Sequence, residues 1–214
     1  TQRGIEAEGP NRWLEIRGGD GGYTAVNQKD ARVVYSTTTR LTLSRSADGG
    51  RTFRGATAGI TEASANFAFI TPFAMDGSEP ERMWMAGRRV WRTMDGARTW
   101  MAASAPLTLT ETFSVRAIAV SAVDGNRVMA ATNEGRVYRN ERALTADGET
   151  EWASALPRRG TVSWLEFDPA RPNVAYAAYS SFAAAATDKH VYRTEDGGVT
   201  WAALDGQGDT GIPD

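Results

Sequence analysis

One ten-residue segment returns along the chain: "SRSADGGRTF" (44 to 53), "WRTMDGARTW" (91 to 100) and "YRTEDGGVTW" (192 to 201). Its acids, Asp48, Asp95 and Asp196, stand 47 and 101 residues apart, so the second interval is about twice the first and a further copy is expected between them. A worn copy lies there, "VYRNERALTADGETEW" (137 to 152), in which Asp147, Gly148 and Trp152 keep the acid, the glycine and the aromatic. A period of roughly fifty residues marks a repeat architecture, in which each unit buries its apolar faces only against its neighbours.

Upstream of each copy, short alternating apolar runs are separated by turn residues: "NFAFITPF" then "RMWMAG", "VRAIAVSA" then "RVMAAT", "VSWLEFDPARPNVAYAAY". Alternation with period two over four to six residues predicts strands. Each repeat offers four, the last beginning at the aromatic that closes the segment. No helix of convincing length is predicted. The fold class is therefore all-β, a β-propeller with four recognisable four-stranded blades. The blades are expected at 18–60, 61–106, 107–156 and 157–205, all in one propeller domain. "NRWLEIR" within 1–17 reads as the outer strand of a preceding blade, and 206–214 as a lead to a further one. The expectation is thus an arc of a larger propeller, or association of copies through open blade faces.

The repeated segment falls at the hairpin between third and fourth strands. There the acid can accept backbone N–H groups as an Asx turn, and the paired glycines supply positive φ. Asp48, Asp95, Asp147 and Asp196 are accordingly read as turn locks. Arg45, Arg92, Arg139 and Arg193 share one repeat position and form a structural column.

The pattern Ser/Thr-x-Asp-Gly-Gly-x-Thr-Trp/Phe resembles the Asp-box, or bacterial neuraminidase repeat, of sialidase-like propellers. The resemblance extends over all four repeats and implies a propeller of six or more blades whose Asp-boxes lie on the face opposite the ligand site. That group includes sialidases, xyloglucan-active endoglucanases, sortilin-type receptor domains and photosystem assembly factors, so it implies a fold more narrowly than an activity. "RGGDGGYTAV" (17 to 26) also resembles the start of the inner strand in glycosidase-like repeat proteins.

Several chemistries lack their residues. The sialidase reading needs an arginine triad free of the repeat, and the arginine column absorbs the candidates. The endoglucanase reading needs a catalytic aspartate between second and third strands, where the first repeat has "YSTTTRLTL". The chain has no cysteine and a single histidine, His190, in register with Thr42, Arg89 and Arg136 as an ordinary third-strand position, so neither a serine triad nor a His/Cys metal site is expected. Asp188 near Asp196 lacks the spacing of a calcium loop. "GGDGG" leads into a strand, with no helix N-terminus to cradle phosphate. A net charge of −2 from 24 basic and 26 acidic residues without blocks of one sign sets nucleic acid aside as a partner, and no apolar run reaches the length of a membrane span. No metal and no cofactor are expected.

The ligand-binding candidates are the residues left over by the repeat, expected on the loops around the channel mouth. They are Asp20, Arg40, Glu62, Arg88, Glu111, Glu134 and Asp188, with Trp164 and Glu166 on the inner strand of the fourth repeat. Glu166 stands where the first repeat has Ala25, and Asp20 is flanked by four glycines that would let a ligand approach closely. The sequence favours a noncatalytic interaction or scaffold propeller with a carbohydrate or protein partner, secreted or periplasmic. The alternative is a glycoside hydrolase with its site at the channel mouth, which needs two carboxyl groups across a cleft.

Overall fold

The computed structural model describes residues 15–107, 114–180 and 189–204. They form four antiparallel sheets of four strands, each in chain order from the centre outwards. The first holds β1 (Thr24–Val26), β2 (Val34–Ser36), β3 (Ser44–Ser46) and β4 (Arg54–Gly55). The second holds β5 (Phe73–Met75), β6 (Met83–Ala86), β7 (Val90–Thr93) and β8 (Met101–Ala102). The third holds β9 (Val115–Val120), β10 (Val128–Thr132), β11 (Val137–Asn140) and β12 (Ala153–Ala155); the fourth β13 (Val162–Phe167), β14 (Ala175–Tyr179), β15 (Val191–Thr194) and β16 (Ala202–Ala203). The fold is a β-propeller arc of four blades, and its register repeats to the residue. Ala25, Tyr35, Arg45 and Arg54 form one cross-strand row, matched by Ala74, Trp84, Arg92 and Met101. Ala119, Met129, Arg139 and Ala153 form the third such row, and Glu166, Tyr176, Arg193 and Ala202 the fourth.

Strands of two to six residues make weak isolated sheets, so the cores lie between blades. Tyr35, Leu43, Phe67, Met85, Trp91 and Trp100 fill the first joint. Trp84, Val90, Ile118, Val128 and Trp152 fill the second, and Met129, Val137, Leu165, Phe167 and Tyr179 the third. Burying each large side chain contributes about 1.5–3 kcal/mol. Polar anchors fix the same joints: Trp100 Nε1 donates to the Ala56 carbonyl at 2.8 Å and Trp152 Nε1 to that of Ala103 at 2.9 Å, each reaching back one blade.

Three of the repeated turns share one set of hydrogen bonds. Asp48 Oδ1 accepts the amides of Arg51 and Thr52 at 2.8 and 2.9 Å while its Oδ2 accepts the Thr52 hydroxyl at 2.7 Å. The Ser46 hydroxyl donates to Asp48 Oδ1 and itself accepts the amide of Gly50, each at 2.8 Å. Asp95 with Arg98, Thr99 and Thr93 repeats this, as does Asp196 with Val199, Thr200 and Thr194. The two residues after each acid have positive φ, including Ala97 at 60° where the other turns carry Gly50 and Gly198.

Asp147 does not repeat this set. Register places Asn140 in the position of Ser46, and Asn140 Oδ1 accepts the Arg142 amide as Ser46 Oγ accepts that of Asp48. Arg142 therefore occupies the acid's place. Five extra residues follow, so Asp147 keeps its spacing to Trp152 but loses its spacing to the strand. It closes a smaller turn with Thr150, whose hydroxyl lies 2.8 Å from its Oδ1.

A second repeated turn, joining first and second strands on the same face, escapes the sequence reading. Asn27, Asp76, Ser121 and Asp168 each donate their amide to the carbonyl six residues on. Each of these turns offers a further carbonyl, from Arg32, Glu81, Asn126 or Asn173, to the amide of Gly49, Gly96, Ala143 or Gly197 in the neighbouring hairpin. The strand expected over 11–17 is described only from Glu15, where no strand forms. Arg17 there donates to the Ser36 carbonyl at 2.7 Å and lies 5.7 Å from the centre of the Phe53 ring. Residues 206–214 lie outside the described residues.

Two expectations follow. Asp95→Ala leaves the Arg98 and Thr99 amides without their acceptor and lowers stability by about 1–3 kcal/mol, read from urea denaturation. The carboxyls of Asp48 and Asp196 are held well below the ordinary 3.8 by the amides and hydroxyls of Thr52 and Thr200. At Asp95 burial pushes up, but the Thr99 and Thr93 hydroxyls with the turn amides outweigh it, and the value is again lowered. A depressed folded value means that the stabilisation is complete above the unfolded value near 3.8 and is lost as pH falls through the folded value. The melting temperature is expected to hold from about pH 7 to about pH 5 and to drop steeply below about pH 4; an acid-insensitive melt would contradict this role of the turns.

Candidate ligand-binding site

The inner strands β1, β5, β9 and β13 converge on a cavity of about 260 Å³ lined by Tyr23, Phe73, Ile118, Trp164 and Glu166 among others. Two of these come from blades at opposite ends of the arc. The Tyr23 and Trp164 rings stack with centroids 6.2 Å apart and planes 13° from parallel, while Phe73 meets Tyr23 edge-on at 6.2 Å and 62°. Among the described residues no fourth hydrophobic cluster joins the first and last blades. Burial raises the Tyr23 hydroxyl above its ordinary value, so it stays a neutral donor.

Strand alternation presents Trp164, just after a bulge. In β13 the buried residues are Val162, Leu165 and Phe167, an odd step followed by an even one, and the pairing with β14 shifts between Val162 and Trp164. Trp164 and Glu166 alternate regularly with the buried Leu165 and Phe167, and the extra residue before Trp164 returns Val162 to the buried side. Trp164 is 51% exposed, and its Nε1 donates to Glu166 Oε2 at 3.2 Å, which fixes the indole. In the row of Glu166 the other blades carry Ala25, Ala74 and Ala119.

Of the candidates read from sequence, Trp164 and Glu166 are therefore in direct contact. Glu62 and Arg88 also meet, but structurally. Glu62 accepts the amides of Arg88 at 2.6 Å and Arg89 at 3.4 Å, and the Trp91 indole N–H at 2.9 Å, so it braces the hairpin between β6 and β7. Glu62, a ligand-binding candidate from the sequence, thus already takes three donors on its oxygens. Arg40, at φ 53°, donates its amide to the Phe69 carbonyl and its guanidinium to that of Ala65, holding the loop that contains the 3₁₀ turn Ser64–Asn66. Glu134 lies 3.7 Å from Arg136.

Asp20 is exposed on a bend. One of its flanking glycines serves the fold: a Cβ on Gly22 would stand 2.4 Å from Thr37 Oγ1 and 2.9 Å from the Thr38 carbonyl. Gly22 thus admits the neighbouring hairpin, which receives the Tyr23 amide on Thr37 Oγ1 at 2.8 Å. Glu111 and Asp188 lie outside the described residues. His190 offers its carbonyl to the Tyr179 amide, with its ring Nδ1 3.3 Å from the Tyr179 carbonyl oxygen. Sequence reasoning missed Tyr23 and Phe73 as site residues, because only the radial convergence of separate blades brings them to Trp164.

A stacked indole with one open face takes up the C–H face of a flat ligand, and the adjacent carboxylate accepts hydrogen bonds at its edge. Among the described residues no group of three or more Asp, Glu, His or Cys gathers as a metal cluster.

No protein-family model matches the chain, and no curated protein matches its sequence. Solved structures do resemble it in fold. A GH74 xyloglucanase from Xanthomonas campestris superposes with a TM-score of 0.60 at 17% identity, over 86% of this chain and 30% of that one. YCF48 bound to a D1 peptide gives 0.54 at 19%, over 86% and 54%. The WD40 repeats of RRP9 give 0.61 at 10%, over 88% and 52%. This chain spans between about a third and about half the length of those chains, and at these identities the likeness establishes the β-propeller fold alone.

Glu62→Ala is expected to lower the melting temperature by several degrees, the equivalent of about 1–3 kcal/mol for orphaned donors, and to leave ligand binding by the folded protein unchanged. Unaltered thermal stability would show that the brace is dispensable.

Proposed function

We propose that the chain is a carbohydrate-binding interaction propeller whose turns at Asp48, Asp95 and Asp196 are Asp-boxes, with its ligand seated on the Trp164 and Tyr23 platform at the channel. The observation that carries this is the half-exposed Trp164 indole, backed by a parallel Tyr23 ring and held at its N–H by Glu166. Pyranose rings present apolar C–H faces and hydroxyl edges, and this pairing of ring face with acceptor matches both. An extracytoplasmic location, where glycans are encountered, belongs to the same reading. The similarity in fold to a xyloglucanase supports a propeller scaffold suited to glucan chains. Glu166 lines the cavity; hydrolysis by the common route would need a second carboxyl roughly 5 to 9.5 Å from it, and the assay for reducing sugar separates the two readings.

The test is calorimetric titration with xyloglucan oligosaccharides. Trp164→Ala should weaken binding about tenfold or more, as loss of a central aromatic anchor does, with no change in melting temperature, and Glu166→Gln should weaken it by a smaller factor. Equal affinity in the wild type and Trp164→Ala would reject the platform; release of reducing sugar by the wild type would reject the noncatalytic reading.

A further inference from the structure

The arginine column reads the main chain of the facing blade at two joints and is left open at a third. At the second joint the Arg92 guanidinium, 7% exposed, donates to the main-chain carbonyls of Ala143 and Ala146. Those carbonyls belong to the segment that the five extra residues of the third repeat create. The chain thus lays a stretch of its own backbone over the arginine. At the third joint Arg139 reaches across to the Gly198 carbonyl at 3.2 Å. At the first joint Arg45 occupies the same register position, yet among the described residues it makes no hydrogen bond to the facing blade, and no inserted segment covers it. A groove of about 460 Å³ opens there instead, lined by Arg45, Thr52, Arg54 and Arg98 with Asp48 and Ala97.

Charge separates this groove from its counterpart. The groove at the third joint balances Arg139 and Arg142 against Glu141 and Glu151. In the first, three guanidinium groups face one carboxylate, and the oxygens of Asp48 are already engaged by the Ser46 and Thr52 hydroxyls and the Arg51 and Thr52 amides. Arg98 keeps a 3.4 Å contact to Glu81, and Arg54 projects from the outermost strand, exposed. The groove therefore combines a backbone-reading arginine with a surplus of positive charge.

We infer that the groove between the first two blades is a docking site for an acidic peptide segment of a partner protein, whose main-chain or side-chain carboxyl oxygens take the place on Arg45 that the Ala143 and Ala146 carbonyls take on Arg92. The chain's own covering of Arg92 identifies the class of occupant as peptide, and the excess of arginine selects acidic side chains. This site is separate from the channel platform and does not rest on the carbohydrate reading.

Fluorescence polarisation with a fluorescein-labelled hexa-aspartate probe tests it. Saturable binding is expected, weakening as salt rises from about 50 to about 300 mM. Arg54→Ala should reduce affinity about threefold and Arg45→Met with Arg54→Ala about tenfold, the range for charge-assisted contacts at an interface rim and centre. Arg142→Ala, in the counterpart groove, should change nothing. Because Arg45 packs in the first joint, the exposed Arg54 variant keeps the test open should the double variant melt early. Absence of saturable binding up to about 1 mM probe, equal binding by Arg54→Ala, or displacement of the probe by oligogalacturonate as readily as by unlabelled hexa-aspartate would overturn the assignment, the last by showing a general polyanion surface.

Discussion

The joint between blades is the constraint on which everything else depends. No sheet here is large enough to stand alone, since strands such as β4 and β8 contribute two residues each. Stability therefore comes from apolar faces matched in pairs, and matching requires that every blade keep one register. The cross-strand rows running through Tyr35, Trp84, Met129 and Tyr176 hold that register. The indole N–H bonds of Trp100 and Trp152 then set the spacing of adjacent blades, because a buried indole donor left without an acceptor would cost about 1–3 kcal/mol. The acid turns act one level below: by satisfying the hairpin amides internally they let the third and fourth strands pair over so short a length.

Much of this was legible in the sequence because it is repeated. The period, the four strands per unit, the three acid turns and the arginine column all return at fixed offsets, and repetition separates signal from accident. The unusual character of Glu166 was legible for the same reason, as a charge in a row of alanines. What repeats in geometry without repeating in residue type was not legible. Asn27, Asp76, Ser121 and Asp168 perform one job, but the job asks chiefly for a backbone amide at the right place, which many side chains permit. The displaced Asp147 shows the opposite failure. Its spacing to Trp152 matches the motif, while the insertion that moved it away from Asn140 becomes visible only when strand pairing supplies a second ruler.

Loop charges were the least legible of all. Glu62 and Asp20 look alike in sequence, each an acid on a connection near the channel. One is anchored by three donors from the β6–β7 hairpin and the other is exposed. No local pattern distinguishes them, because the donors to Glu62 lie 26 to 29 residues away and reach it only when the chain folds back on itself. Among the glycines around Asp20, Gly22 admits a close approach by Thr37 and Thr38 of the fold itself, while the space at Gly21 is open.

The site follows from how a repeat fold distributes freedom. At the positions of Ala25, Ala74 and Ala119 a following blade packs close, and an unpaired carboxylate there would meet a desolvation penalty of several kcal/mol. Glu166 is the charged member of that row, and its Oε2 accepts the Trp164 indole N–H. In β13 Trp164 and Glu166 alternate with Leu165 and Phe167, which remain in the third joint, and the bulge before them returns Val162 to the buried side. Function in this architecture is to be sought at the residues where the repeat is broken and the fold is not.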